Sequence, residues 1–242
     1  MASAFFGRAA TLVHDFYIPM PEAQMRQTFY ALETEVNNTI NSTIAIIVTG
    51  DGTVVHYDHW EDGYEVDLGS PVQSTTQIWG DGNNANGIAP GFSNDPVGLR
   101  AGTVLTLANN VQLPRNPSVV LYDGRDRVAG TKALVISRMG YPTSPGPVLN
   151  DAVEVPATID YGTEYVSPIG QGVGGNLFQY TALFVMASQD NTLVTVDVDG
   201  NGPTAPYNVT LNQGESHLVN GGVKKGATVR TTKPVQAQLI RG

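Results

Sequence analysis

The chain has 242 residues, 41% of them hydrophobic, and a formal net charge of −9 at neutral pH. Nucleic acid and anionic membranes repel an acidic protein, so this charge argues against both as partners. The chain contains no cysteine, which excludes disulfides and metal centres held by thiolates. It contains no apolar run of about 18 residues, so we expect no membrane insertion.

The N-terminal residues 1–14 are predicted to form an arm that precedes the first β unit. They lack the Lys/Arg-rich start of a signal peptide, so no export signal is visible in this stretch. Apolar residues within 2–12 have no counterpart later in the chain. One hypothesis is that they add as a strand to the sheet of a neighbouring molecule.

The next element is a short helix near residues 21–34. Pro21 and Glu22 suit a first helical turn, and apolar residues recur on one face of the segment that follows.

The remainder of the chain favours β-structure. Short β-branched runs such as "STIAIIVTG", "KALVISRM" and "NTLVTVDV" alternate with Gly, Asn, Asp and Pro. With 27 glycines and 15 prolines, the chain is rich in turns. This pattern predicts an all-β fold of antiparallel, sandwich-like units.

An internal repeat indicates how these strands are organised. Residues 43–63 align with 182–202 at an offset of 139, and residues 131–140 align with 232–242 at an offset of about 101. The first copy therefore has an insertion of about 38 residues. The turns "GDGT" and "QDNT" occupy equivalent places and are predicted to join two strands of a hairpin.

The repeat predicts an internal duplication with four segments. These are the arm at 1–14, a first β unit at 15–140 with its insertion at about 64–104, a Pro-rich linker at 141–160, and a second β unit at 161–242. The repeat leaves open whether the two units share one core.

Several segments resemble a known family. The second unit contains "DNTLVTVDVDG", "YNVTLNQGESHLV" and "KKGATVRTTKPVQAQLIRG", and the first contains "FYIPMPE", "GDGTVVHYDHWEDGYE" and "VVLYDGRDRVAG". They are similar to segments of the domain at the N-terminus of IgG Fc-binding protein and of large bacterial surface proteins that carry it. The resemblance implies an extracellular β-rich module that binds partners or builds surface structures, and it implies no catalytic residues.

Chemistry-bearing residues are concentrated in "VVHYDHWEDGYEVD", residues 54–67. If this stretch is a strand, alternation sends His56 and His59 to opposite faces, whereas a zinc site needs three or four converging ligands. Asp58 recurs as Asp197 in the second unit, but neither His recurs. The favoured interpretation is the polar end of a hairpin that launches the insertion, rather than a catalytic or transition-metal site.

Calcium is the stronger ionic hypothesis. "DVDGNG" begins like a calcium-binding loop, but Asn208 stands where the bidentate Glu of an EF-hand is expected. These residues either bind Ca²⁺ or form an ordinary Asp/Asn/Gly turn. The candidate Ca²⁺ ligands are Asp197, Asp199, Asn201, Asp58, Glu61 and Asp62.

A second hypothesis is that the insertion binds sugars, because aromatic residues there lie beside Asn and Asp. The candidate ligand-binding residues are Trp60, Tyr64, Trp79, Asp81, Asn83 and Phe92. The alternative is that both Trp side chains fill the core beneath a long loop.

The sequence lacks a P-loop lysine motif and a GxSxG motif, and we expect that the protein is not an enzyme. The leading prediction is a non-enzymatic extracellular structural or adhesion protein that associates with itself or with other surface proteins. The alternative is a Ca²⁺-dependent carbohydrate-binding module that holds glycans with its insertion loop.

Overall fold

A computed structural model describes residues 11–147, 149–172, 179–200 and 204–242. In these ranges the chain forms fourteen β-strands, one α-helix and two 3₁₀ turns, and every strand pairing is antiparallel. The predicted all-β class is confirmed.

The first half of the chain forms two sheets. Its strands are β1 (His14–Tyr17), β2 (Thr39–Val48), β3 (Val55–Asp58), β4 (Gln77–Trp79), β5 (Val104–Gln112), β6 (Arg127–Gly130), β7 (Leu134–Pro142) and β8 (Asp151–Val155). The strand orders are β1–β6–β3–β4 and β5–β2–β7–β8. Along β2, side chains alternate between buried and more exposed, so that Ile44, Ile46 and Val48 enter an apolar core with Tyr57 and Trp79.

The second half builds a six-stranded sheet around one long strand. Its strands are β9 (Gly162–Val166), β10 (Thr181–Ala187), β11 (Thr192–Asp197), β12 (Tyr207–Leu211), β13 (Ser216–Val219) and β14 (Thr228–Arg241). The start of β14 pairs with β9 and β11, and its end pairs with β10. The register of β9 against β14 shifts between Arg230 and Val235.

Both halves follow one order of strand pairing. In the first half β6 lies between β1 and β3, and β2 lies between β5 and β7; in the second, the start of β14 lies between β9 and β11, and β10 lies between β13 and the end of β14. One strand of the second half therefore takes the places of both β6 and β7.

The equivalent turns of the two halves contain the same bonds. The hydroxyl of Thr53 donates to the carbonyl of Gly50 at 2.6 Å, and Thr192, 139 residues later, donates to Gln189 at 2.7 Å. Neither turn, however, joins two paired strands, because β2 does not pair with β3, nor β10 with β11. The prediction of a hairpin at these turns is wrong.

The predicted linker is also more structured than expected. Its residues 151–155 form β8, which pairs with β7 and extends the sheet of the first half. Likewise the insertion supplies β4, which pairs with β3.

The single α-helix, α1 (Glu22–Leu32), confirms the helix predicted near 21–34. Its Met25 and Phe29 are buried together with Phe184 of β10 and Ile240 of β14. The two halves therefore share an apolar core, the point that the sequence left open. None of the described helices has both the length and the apolar character needed to cross a membrane.

Candidate functional site

The residues singled out in the first half meet a loop at 121–126, "LYDGRD", just before β6. The centre of the contact is the buried carboxylate of Asp126. It accepts hydrogen bonds from the Tyr57 hydroxyl at 2.6 Å and from the Asp123 backbone amide at 2.9 Å. The Trp60 amide lies 3.3 Å from its other oxygen. These bonds fix the loop against β3.

His59, Glu61 and Asp126 each place one potential metal ligand within 4.8 Å of the others, the only such group of three among the described residues. As the strand-alternation argument expects, His56 does not join His59 in this group. β3 ends at Asp58 and residues Trp60–Asp62 form a 3₁₀ turn, which brings His59 and Glu61 to one side. The sequence reasoning missed Asp126; its signal was the acidic, glycine-containing "DGRD" between two apolar runs.

An arginine supplies positive charge to this cluster. Arg115 donates to Glu61 and, at 2.5 Å, to Asp123. The Nδ1 atom of His59 lies 2.9 Å from the carbonyl oxygen of Leu121. A carbonyl only accepts hydrogen bonds, so Nδ1 carries a proton and offers no lone pair to a metal. The charged groups of this cluster therefore link the 3₁₀ turn at Trp60–Asp62 to the loop at 121–126.

Burial shifts the pKa values of the charged groups in this cluster. It alone would lower the pKa of His59, but the adjacent carboxylate of Asp126 outweighs it and raises that pKa. Burial, reinforced by the negative charges of Glu22 and Asp126, raises the pKa of Asp123 to about 8 despite Arg115. Burial also raises the pKa of Glu61. Protons and the arginine thus offset the crowded negative charge.

Glu22, at the start of α1, extends the network. It accepts from the Gly124 amide at 3.2 Å and from Arg138, which is completely buried in β7. Arg138 also donates to Ser42 at 2.8 Å. A buried arginine needs such partners because an unpaired charge in the interior is costly.

Trp60 and Tyr64 belong to contacts within the protein. The guanidinium of Arg125 lies 4.2 Å from the Trp60 ring centroid, and the indole N–H donates to Asp123 at 2.8 Å. The Tyr64 hydroxyl donates to the carbonyl of Arg125 at 2.8 Å. This tyrosine lies against Gly214 of the second half. The stretch at residues 54–67, rich in His and carboxylates, therefore forms part of the junction between the halves.

The other residues of the sugar-binding hypothesis do not form one surface. Trp79 is only 1% exposed and belongs to the first core, whereas Phe92 is 43% exposed. A buried indole offers no face to a ligand, so the prediction for Trp79 is wrong. Asp81 accepts from the Asn83 amide at 2.9 Å, and Asn83 from the Ala85 amide at 3.1 Å, which makes them turn-forming residues.

The calcium candidates are also dispersed. Asp58 is fully buried, while Asp62 is exposed and accepts from the Thr75 hydroxyl. In the second half Asp197 accepts from the Gly200 amide at 3.0 Å, and Asp199 from the Thr204 amide at 3.0 Å. Asn201 lies outside the described residues. Among those described, only Glu61 belongs to a three-ligand group.

A cleft of about 750 Å³ lies between the two halves. Asp15, Tyr17, Tyr64 and Arg127 line it from the first half, and the segment 188–190 with Gln213 and Lys233 lines it from the second. The sequence reasoning did not find this cleft, because its walls come from segments distant along the chain.

No protein family model, curated protein or solved structure matches this chain.

Proposed function

We propose that this chain is a non-catalytic structural module of an extracellular surface assembly, in which copies join edge to edge through β5. The observation that carries the proposal is the open edge of this strand. All nine residues of β5 pair with β2, and no other described strand pairs with its opposite side.

The composition of β5 supports association at this edge. Its sequence, VLTLANNVQ, contains no charged residue and no proline. The other strands at sheet edges contain three to five residues each. Proteins normally block open edges with charges, prolines or short strands, and a long edge without them favours pairing with another chain.

A second copy fits this edge by symmetry. Two antiparallel β5 strands in full overlap place Ala108, the middle residue, opposite its own copy across a twofold axis. Thr106 then lies opposite Asn110, and Val104 opposite Gln112, all on the exposed face. Buried Leu105 lies opposite buried Val111, so both sandwich cores continue across the junction. This register satisfies the strict alternation of faces in a sheet.

Two further observations support the non-catalytic and extracellular parts of the proposal. The clustered side chains around Asp126 bond mainly to an arginine, a tyrosine and backbone amides, so they serve to hold loops. The resemblance of six segments to the N-terminal domain of IgG Fc-binding protein supports a surface location. Catalysis would instead require a reactive group aimed at a substrate cavity.

The test is the oligomeric state of purified protein by sedimentation velocity. We expect the native chain to sediment with about twice its mass of 25.7 kDa. Ala108→Lys should yield monomers, because two like charges would face each other at about 5 Å across the new pair. Thr43→Lys, which places the same charge directly beside Ala108 on the interior strand β2, should remain dimeric. A monomeric native chain, or equal behaviour of the two variants, would contradict the proposal.

A further inference from the structure

The cleft between the two halves has a polar floor that is held in place before any ligand arrives. Arg127 donates through Nε and one terminal nitrogen to Asp15, at 2.9 to 3.1 Å, and through the other to the carbonyl of Glu65 at 3.1 Å. The Gln213 side chain donates to the Tyr17 hydroxyl at 2.6 Å. Groups fixed in this way lose little conformational entropy on binding.

The rim of the cleft combines charged and apolar groups. Lys233 donates to the backbone carbonyl of Asp190 at 2.6 Å, which sets the ammonium and the Asp190 side chain on the same wall. Val66 and Ile159, which also line the cleft, have exposures of 102% and 77%. Such fully exposed apolar side chains beside polar groups are available for contact with a ligand.

We propose that this cleft binds a neutral oligosaccharide. Its lining presents two carboxylates (Asp15 and Asp190) and two cations (Arg127 and Lys233), so acceptors and donors are interspersed. The Glu65 carboxylate is turned away and accepts from the Val72 and Gln73 amides. Sugar hydroxyls both donate and accept, which allows one ligand to use both kinds of partner. The apolar rim fits the C–H faces of pyranose rings. The volume lies within the range of about 300 to 1,000 Å³ typical of small-molecule sites.

The charge distribution disfavours other ligand classes. A phosphate-bearing or strongly acidic ligand would approach two carboxylates, and a polycation would approach two fixed positive groups. An extended peptide is recognised best along an open strand edge, whereas this lining comes mainly from loops and strand ends. A neutral polyhydroxylated ligand meets neither obstacle.

The internal repeat provides matched controls. Lys132 in the first half donates to the carbonyl of Asp51, the equivalent of the Lys233–Asp190 contact. Asp51 accepts from a backbone amide at 2.9 Å, and Asp190 accepts from one at 3.0 Å. Only the second pair lines the cleft. A purely structural effect of losing either side chain should therefore be similar in the two halves.

The experiment begins with the native chain on an array of neutral oligosaccharides, acidic oligosaccharides and peptides. The neutral oligosaccharide that binds best is then titrated by calorimetry. Asp190→Asn and Lys233→Met should each weaken binding roughly tenfold or more, as expected for lost hydrogen bonds to charged groups. Asp51→Asn and Lys132→Met should bind within about twofold of the native chain, a difference of roughly 0.4 kcal/mol.

Absence of neutral binders, preference for acidic sugars or peptides, or an equal effect of the cleft and control variants would each overturn the proposal. The proposal does not depend on assembly through β5. The two experiments alter different residues, so the failure of one leaves the other standing.

Discussion

Gly214 lies where the second half meets the stretch rich in His and carboxylates. Its φ of +70° is in the left-handed region, and a Cβ there would lie 1.6 Å from the Tyr64 hydroxyl oxygen. The Tyr64 hydroxyl donates to the backbone carbonyl of Arg125, and the Arg125 side chain donates through Nε to the carbonyl of Gly214 at 3.2 Å. The absence of a side chain at 214 therefore allows the two halves to approach.

We expect Gly214→Ala to reduce the free energy of unfolding through both backbone strain and a clash with Tyr64. Gly222→Ala is the matched control, because Gly222 has a φ of +78° but no atom within 4 Å of its added Cβ. Strain alone should cost about 1 to 2 kcal/mol, and the clash should add about 1 to 3 kcal/mol to the Gly214 variant. Urea denaturation measures both; equal losses would contradict a role for Tyr64 contact.

Asp58, at the end of β3, links stability to pH. Burial raises its pKa from 3.8 to about 7, and one of its oxygens accepts from the Glu65 amide at 3.0 Å. Because the folded protein holds this proton more tightly than the unfolded chain, the contribution to stability is full below about pH 4. It is lost as the pH rises through about 7. Asp123 and Asp151, whose pKa values burial also raises, act in the same direction.

We therefore expect the melting temperature of the native chain to fall between pH 5 and pH 8. Asp58→Asn retains an oxygen for the Glu65 amide but cannot titrate, so its decline should be smaller. Asp62→Asn, in the same stretch but exposed, is the control for introducing an amide and should follow the native curve. Calorimetric scans at several pH values measure the slopes. A native melting temperature that rises from pH 5 to pH 8 would contradict this account.

The sequence predicted the partners and burial of individual side chains only in part. Alternation along a strand places His59 and Glu61 on one face and His56 on the other, and His56 stays outside the cluster at Asp126 although β3 gives way to a 3₁₀ turn at Trp60–Asp62. The partner Asp126 lies more than sixty positions away, and nothing local in the sequence indicates that distance in space. Burial of Trp79 was one of two alternatives, and packing of the insertion against the core decided it.

At the scale of elements, α1 joins the halves. Its Phe29 is 2% exposed and packs in the same core as Phe184 and Ile240, which belong to the second half. The strand β10 is buried along its whole length because one face meets this core and the other meets the core of its own half. Burial on two faces explains the continuous apolar run of this strand.

We expect Phe29→Ala to cost about 3 to 5 kcal/mol, as is usual for a truncated core phenylalanine. Tyr30→Ala, on the same helix but 47% exposed, should cost less than about 1 kcal/mol. Both Trp residues lie in the first half, so fluorescence follows that half and circular dichroism follows the whole chain. In Phe29→Ala both transitions should move together. A shift of the fluorescence transition alone would show that the halves unfold independently.

The sequence predicted which segments are helices or strands more reliably than it predicted which strands pair. β-branched runs between turn residues predicted strands, and Pro21–Glu22 marked the start of α1. The hairpin prediction failed because the turns at 50–53 and 189–192 join strands that do not pair with each other. Local turn chemistry is similar in both cases, so only long-range packing distinguishes them.

For the whole molecule, the repeat was the most informative signal. The offsets of 139 and about 101 residues recur in the bonds of Thr53 and Thr192 and of Lys132 and Lys233. The halves then differ where function is proposed. β5 has nine residues but its counterpart β13 has four, and only the Asp190–Lys233 pair reaches the cleft. Divergence between two similar units thus gives the proposed assembly edge to one half and one wall of the cleft to the other.

Edge-to-edge assembly through β5 is the central claim, and the lack of cysteine in the chain makes it directly testable. In Ala108→Cys, the twofold axis would bring two thiols opposite each other at a Cα separation of about 4.5 to 5.5 Å, which suits a disulfide. We expect mild oxidation to convert this variant to a covalent dimer on a non-reducing gel. Thr43→Cys, on the neighbouring interior strand, should remain monomeric on the same gel. Failure of Ala108→Cys to cross-link, or equal cross-linking of both variants, would contradict the claim.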